Sequence, residues 1–328
     1  MRWGLLSTAN INRKLLEGAR GTDEATVVAV ASRDRSRAEQ FAREHGIERA
    51  HGSYEALLED PDVEAIYNPL PNSMHVPWSV RALEAGKHVL CEKPLTRRAA
   101  EVEGAFAAAE RSGRLLAEAF MWRHHPQALR LRELLDEGVI GRLRLVRASF
   151  SFPIKHTDPP DIRLSAELDG GALMDVGCYC VSGARLVTGA EPERVAGEQV
   201  LGGDGVDIAF SGTMRFPGDV LAQFDCGFAV PNRSGLEAIG EDGSLYLADP
   251  WHSRKAGIAL TRDGEMQAIE VSQANPYSHE LADFARAARG EAPPRYGVED
   301  ALAQARAIEA LYASAESGRS VALEAPVA

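Results

Sequence analysis

What this sequence lacks narrows its chemistry before any motif is read. Cysteine is scarce: four in 328 residues, Cys91, Cys178, Cys180 and Cys226. They lack the paired spacing of a zinc site, and four thiols in so long a chain do not make a disulfide framework. No metal centre is expected from them. Positive charge is in deficit too, with 36 Lys and Arg against 48 Asp and Glu, a formal net charge of −12. A surface of that sign repels phosphate backbones and anionic lipids, so nucleic acid is not an expected partner. No stretch approaches the ~20 apolar residues of a membrane span, and the opening MRWGLLSTAN has no long apolar segment ending in a cleavage site. These absences point to the cytoplasm, with reduced thiols and no membrane partner. Internal repeats and low-complexity linkers are missing as well.

What is there is ordinary globular composition, 45% hydrophobic and 26% charged, in a chain longer than one hydrophobic core usually serves. The first third alternates short apolar runs with helical spacing. Trp3–Leu6, Val27–Ala31, Ala65–Tyr67 and His88–Cys91 read as strands, and Arg37–Glu44 and Val76–Glu84 as helices stopped by Gly46 and Gly86. Repeated strand-helix units imply a doubly wound parallel sheet, which binds ligands outside the carboxyl ends of its strands. Beyond Trp122 the texture changes to a helix over Gln127–Leu135, a strand over Leu143–Phe152 and a glycine-opened helix over Gly170–Val187. Alternating segments at Gly212–Phe216, Val220–Phe228 and Gly243–Leu247 follow, and two helices, Ser278–Arg289 and Glu299–Ser317, close the chain. The expected fold class is α/β: a Rossmann-type domain over 1–122, then an α+β domain over 123–328 with a large, mostly antiparallel open sheet.

A further absence lies at the first strand-to-helix turn, where a dinucleotide fold carries G-x-G-x-x-G. This chain has Ser7-Thr8-Ala9-Asn10-Ile11-Asn12. Ser7 and Ala9 are small replacements, and a helix beginning near Asn10 still offers free N–H groups to a phosphate. The segment reads either as a dinucleotide loop or as a plain turn. After the second strand, where NAD enzymes place an acid for the ribose, come Ser32 and Arg33, with Arg37 one helical turn on. An arginine fork suits a 2′-phosphate, which favours NADP over NAD; the other reading is a wet helix face bearing Arg33, Arg35 and Arg37.

Four segments carry a resemblance: Asn68-Pro69-Leu70-Pro71-Asn72 with His75, Glu92-Lys93-Pro94, Glu118-Ala119-Phe120-Met121-Trp122-Arg123, and Gly170-Gly171-Ala172-Leu173-Met174-Asp175-Val176-Gly177-Cys178-Tyr179-Cys180. With them the chain resembles the glucose-fructose oxidoreductase, inositol dehydrogenase and rhizopine-catabolism (Gfo/Idh/MocA) family, in its dihydrodiol dehydrogenase and NADP-dependent D-xylose dehydrogenase branch. The resemblance implies Lys93 as the active-site lysine, with a Lys93–Pro94 bond that is often cis. It also implies Asn68, Pro69, Leu70, Asn72, His75, Glu92, Pro94, Trp122 and Arg123 beside the cofactor. Many members have histidine where this chain has Tyr179, a departure that matches the dihydrodiol and glucose-fructose branch.

Asp175 and Tyr179, four residues apart on one helix, share a face. Tyr179 is the candidate acid-base group, Lys93 the charge that eases its ionisation, and Asp175 the group that holds substrate or lysine. Tyr179 also reads as a half-buried core tyrosine, and Lys93 as a surface lysine in a turn. His156, Arg163 and Tyr277 are candidate substrate contacts. Adjacent His124 and His125 point in different directions and do not make a metal pair. The expected activity is hydride transfer between NADP, with NAD possible, and a sugar or vicinal diol. A dinucleotide-binding sensor or an NAD-dependent glycosidase of the same fold are the alternatives. A homodimer or homotetramer through the second domain's sheet is expected.

Overall fold

Strands form where the sequence runs apolar and β-branched, and helices fill the intervals between them. The computed structural model describes residues 1–155 and 161–323. The chain begins with β1 (Arg2–Leu6), α1 (Asn12–Arg20), β2 (Thr26–Ala31), α2 (Arg35–His45), β3 (Arg49–His51) and α3 (Tyr54–Leu58). It continues with β4 (Ala65–Asn68), α4 (Asn72–Glu84), β5 (His88–Glu92), α5 (Ala99–Ser112) and β6 (Leu116–Ala119). The six strands pair in parallel in the order β3-β2-β1-β4-β5-β6. Every residue of β4 is buried, as expected for a strand covered on both faces. The order reverses between β1 and β4, and it is outside the carboxyl ends at such a switch point that open α/β sheets bind ligands.

There follow α6 (Pro126–Asp136), β7 (Leu143–Ser151), a π-helical turn over Leu173–Gly177 and, continuing it, α7 (Cys178–Thr188). Then come β8 (Arg194–Leu201), β9 (Asp207–Phe216), β10 (Val220–Gly227), β11 (Arg233–Gly240), β12 (Gly243–Leu247), β13 (Ile258–Arg262) and β14 (Glu265–Ile269). The chain closes with α8 (Pro276–Ala288), α9 (Val298–Ser317) and β15 (Val321–Ala322). Nine strands form one sheet, β14-β13-β12-β11-β7-β10-β9-β8-β15, antiparallel except for the β7–β10 pair. Along β10 buried and exposed residues alternate, so the sheet turns one face to the core and one outward. The fold is the expected α/β architecture with a large, mostly antiparallel second sheet. No described helix is long and apolar enough to cross a membrane.

The chain does not divide once, at residue 122. It forms two units, one of Met1–His124 with Asn275–Leu302, the other of His125–Ala274 with the remainder of α9 and β15. The return of α8 to the first unit has a packing cause. Gly18 of α1 faces Tyr277 so closely that a Cβ would overlap the tyrosine's own, and the Ser278 hydroxyl donates to the Gly18 carbonyl at 2.8 Å. Further along α8, Phe284 lies against Trp3 of β1 with ring centroids 5.0 Å apart.

Candidate active site

In the first unit the turn after β1 keeps a glycine's backbone without a glycine. Ser7 holds φ at 82°, in the left-handed region. Its hydroxyl accepts from the Ala9 N–H at 3.3 Å, and the Asn12 side chain donates to the Ser7 carbonyl at 2.8 Å, closing the loop where the third glycine would stand. The helix begins at Asn12 rather than near Asn10. It has no side-chain cap and no acidic residue in its first turn, so the positive end of the helix is left uncompensated, while the N–H groups of Asn12 to Leu15 are taken by the Ala9, Asn10 and Ile11 carbonyls. After β2 the Asp34 side chain is occupied in capping α2, accepting from the Ser36 and Arg37 N–H groups. Arg35 pairs with Glu39, whereas Arg33 and Arg37 form no ion pair within 4.0 Å among the described residues. Hydrogen bonds from Ser36 and Arg37 hold the Asp34 carboxyl below its usual range, and the charge of Arg37 only adds to them. Ser32 is buried, and its hydroxyl accepts from the Asp34 N–H. This edge fits the phosphate-bearing adenosine end of a dinucleotide.

The turn after β4 is built differently from the expectation. Asn68 and His75, both predicted to line a cofactor, are buried and committed to the chain itself. Asn68 donates to the His75 carbonyl and the Ser79 hydroxyl, while its oxygen accepts from the Leu70 N–H. His75 faces the Pro94 carbonyl through Nδ1 (2.8 Å) and the Leu70 carbonyl through Nε2 (2.7 Å). Burial pushes its pKa down to about 4 against the pull of the two carbonyls, and the positive charge of Lys93 adds to the lowering. The neutral ring lies between the Pro69–Asn72 turn and the Lys93–Pro94 turn and, with a single N–H, donates to one of the two carbonyls at a time.

Lys93 follows β5 at the sheet's carboxyl edge, and its bond to Pro94 is cis. Three contacts fix that turn: His75 on the Pro94 carbonyl, Glu118 accepting from the Leu95 N–H at 2.7 Å, and Glu92 accepting from the Lys93 N–H at 3.3 Å. Glu92 is in turn the acceptor of the buried Tyr67 hydroxyl. Trp122 is fully buried in the short turn after β6. Arg123, expected at the cofactor, spends both terminal nitrogens on Asp300 at 2.6 and 2.9 Å and stacks on Tyr296. Tyr277 is buried against α1, in the first unit. His124 bonds Asp283 and His125 caps α6, so the adjacent pair is divided between two structural tasks.

The second unit holds the other candidates. Asp175 lies in the π-turn and Tyr179 in the first turn of α7. The expected plain α-helix is therefore widened by i→i+5 bonding just where the candidate pair sits, a frequent feature of functional sites. Arg163 reaches Asp175 through Nε at 2.8 Å and Asp161 through Nη1 at 3.2 Å. The segment bearing it is docked by the Gly171 N–H on the Arg163 carbonyl and the Gly170 N–H on the Ser165 carbonyl. Tyr179 is 6% exposed, its ring edge-on to Phe150 at 5.3 Å and 5.9 Å from Trp251. His156 lies outside the described residues.

Sequence reasoning missed Asp161, Phe150 and Trp251 here and Tyr67 in the first unit, and it named Glu118 only as part of a motif without its task. Asp161, two residues before Arg163, and Glu118, in its motif, had a local signal. The others arrive through strand pairing or from a turn after β12.

Both halves of the chain match one family: residues 1–120 an oxidoreductase family with an NAD-binding Rossmann fold, and residues 128–246 the GFO/IDH/MocA C-terminal domain. The chain belongs to the Gfo/Idh/MocA oxidoreductase family. Among its relatives is a D-xylose 1-dehydrogenase (NADP(+)) of Haloferax volcanii, 38% identical over 99% of this chain and 100% of that one. A trans-1,2-dihydrobenzene-1,2-diol dehydrogenase of Mus musculus is 39% identical over 76% of this chain and 75% of its own. Of solved structures, a 3-ketoreductase from Actinomadura kijaniata in complex with NADP and TDP-benzene is 34% identical, with a TM-score of 0.89 and coverage of 96% and 97%. The family and the branch named from the motifs are thereby supported.

Proposed function

We propose that this Gfo/Idh/MocA enzyme is an NADP-preferring dehydrogenase acting on a CH–OH group of an aldose or vicinal diol, with Lys93, Asp175 and Tyr179 as its catalytic residues. The observation that carries the reading is the Lys93 turn, a lysine at the carboxyl edge of a parallel sheet and fixed through its neighbours by His75, Glu92 and Glu118. The cofactor cradle consists of Ser7, Thr8, Ala9, Asn10 and Ile11 at the start of α1. Ser32, Arg33 and Arg37 take the 2′-phosphate. NADP is the cofactor of the xylose dehydrogenase relative and is bound in the ketoreductase structure, which supports the preference.

When bound, the nicotinamide accepts hydride in oxidation and supplies it in reduction. Tyr179 Oη takes the proton of the substrate hydroxyl and returns it in the reverse direction. A free phenol has a pKa near ~10, and Lys93 is the group proposed to favour the negative charge that develops on the substrate oxygen. Asp175, held by Arg163, orients the substrate hydroxyl. Because two carboxylates already balance Arg163, the second unit suits a neutral polyhydroxy substrate better than one carrying a diphosphate. Exposed Val200, Leu201, Leu221, Tyr246 and Met266 on strands of the nine-stranded sheet support self-association through that sheet.

The test is a panel of aldoses, polyols and vicinal diols with NADP and NAD, followed by absorbance of the reduced nicotinamide. Net NADPH formation is expected, and Tyr179→Phe lowers kcat by ~10²–10⁴-fold with NADP affinity retained. Unchanged turnover in that variant removes tyrosine from the scheme, and a preference for NAD in the unmodified enzyme defeats the NADP assignment.

A further inference from the structure

Asp207 opens β9 and is 2% exposed, yet its carboxyl forms no ion pair among the described residues. Instead Oδ2 accepts from the Leu173 N–H at 2.6 Å and Oδ1 from the Tyr312 hydroxyl at 2.8 Å. The Leu173 amide opens the helix that carries Asp175 and Tyr179. A helix's first N–H groups need acceptors, normally from the residue that starts it. Ala172 cannot serve, and the π-turn has no side-chain cap of its own. A carboxylate 34 residues further along the chain takes the place of that cap.

The approach is built on both sides. Gly171 enters the helix with φ at 123°, a conformation L side chains rarely adopt, and a Cβ on it would overlap Asp207 Oδ1. Tyr312, from α9, fixes the other oxygen. Burial pushes the Asp207 carboxyl up from the ordinary aspartate range, so the fold keeps an acid where an apolar side chain packs more cheaply. What the acid supplies is a fixed acceptor at the root of a wide, irregular turn.

We propose that Asp207, oriented by Tyr312, is a positioning residue of the reaction: it sets the height and rotation of the π-turn and thereby the placement of Asp175 and Tyr179. The inference rests on the reading of that pair as catalytic. Misplacement of a reacting group by about 1 Å costs on the order of 10²-fold in rate, so a carboxylate that touches no substrate still governs turnover. Its effect falls on kcat and leaves NADP binding alone, because the cofactor cradle belongs to the other unit.

The experiment uses the full-length enzyme with NADP and the best substrate of the panel. Asp207→Ala lowers kcat by roughly 10–100-fold with KM for NADP within about two-fold of the unmodified value. Asp207→Asn, which keeps an acceptor for the Leu173 amide, restores most of it, and hydrogen exchange at that amide accelerates in Asp207→Ala only. Full kcat in Asp207→Ala, or an asparagine variant as slow as the alanine one, overturns the inference. If Asp207→Ala does not fold, Tyr312→Phe decides: a several-fold fall in kcat at unchanged KM for NADP supports the role, and unchanged kcat overturns it. Tyr179→Phe is measured alongside. Should it retain turnover, the catalytic reading fails and this inference with it; should it lose turnover while the Asp207 and Tyr312 variants keep theirs, only this inference fails.

Discussion

Ser7 occupies a conformation that glycine adopts freely and serine does not, at the point where a dinucleotide fold expects its first glycine. A non-glycine residue there costs on the order of 1 kcal/mol, partly offset by the Ser7 hydroxyl on Ala9 and the Asn12 amide on the Ser7 carbonyl. Ser7→Gly is therefore expected to leave stability unchanged or raise it by up to about 1 kcal/mol, without weakening NADP binding. Ser7→Val, a β-branched residue at positive φ, should lower stability by about 2 kcal/mol and raise the KM for NADP. Urea denaturation and NADP titration check both; a valine variant as stable as the unmodified protein contradicts the assigned strain. At this scale the sequence was a partial guide. The positions of Lys93 at a strand end and of Asp175 on a helix were legible because a strand end and a glycine pair mark them. The burial of Asn68 and His75 was not, because a polar residue that braces a turn and one that touches a ligand look alike until their partners are known.

Elements were easier to read than their partners. Helices such as Pro126–Asp136 and Val298–Ser317 agree within a residue or two with the apolar spacing that predicted them, since a helix is decided by neighbours in sequence. Strands such as Arg233–Gly240 and Glu265–Ile269 escaped notice, the latter a five-residue strand with four exposed residues. The π-turn also left no pattern, as its wide turn depends on an acceptor from β9. Packing between elements leaves one readable mark, a glycine in mid-helix, and Gly18 in α1 is such a mark. A Cβ there would overlap that of Tyr277 and come within 3.0 Å of its backbone carbonyl carbon, neither of which yields easily. Gly18→Ala should cost about 1–3 kcal/mol by forcing α1 and α8 apart. Thermal melting then shows a Tm lower by several degrees, roughly 2–4 °C per kcal/mol for a unit of this size. An alanine variant that melts with the unmodified protein would show that the two helices part without cost.

At the scale of the whole molecule, local pattern cannot tell which sheet a late helix will join, so the return of α8 to the first unit was not foreseeable. That return has an electrostatic consequence. It brings Glu280 to 1% exposure with neither carboxyl oxygen hydrogen-bonded among the described residues. Burial, and then the negative charges of Glu92 and Asp283, push its pKa well above the glutamate range. The folded chain therefore keeps a proton that the unfolded chain loses above about pH 4.3, so this group's contribution to stability falls as pH rises from there. Buried His75 and His124 act in the opposite sense. Burial lowers both, the folded chain resists their protonation, and stability falls as pH drops below about 6.5. The two slopes define an optimum between them, and Glu280→Gln isolates one slope. The amide keeps the shape and cannot ionise in either state, so the variant should gain stability relative to the unmodified protein at about pH 8 and gain little at about pH 4. Melting temperatures of the two proteins across that range give the comparison. An equal gain at both ends would mean that glutamine merely packs better and that Glu280 ionises freely in the fold.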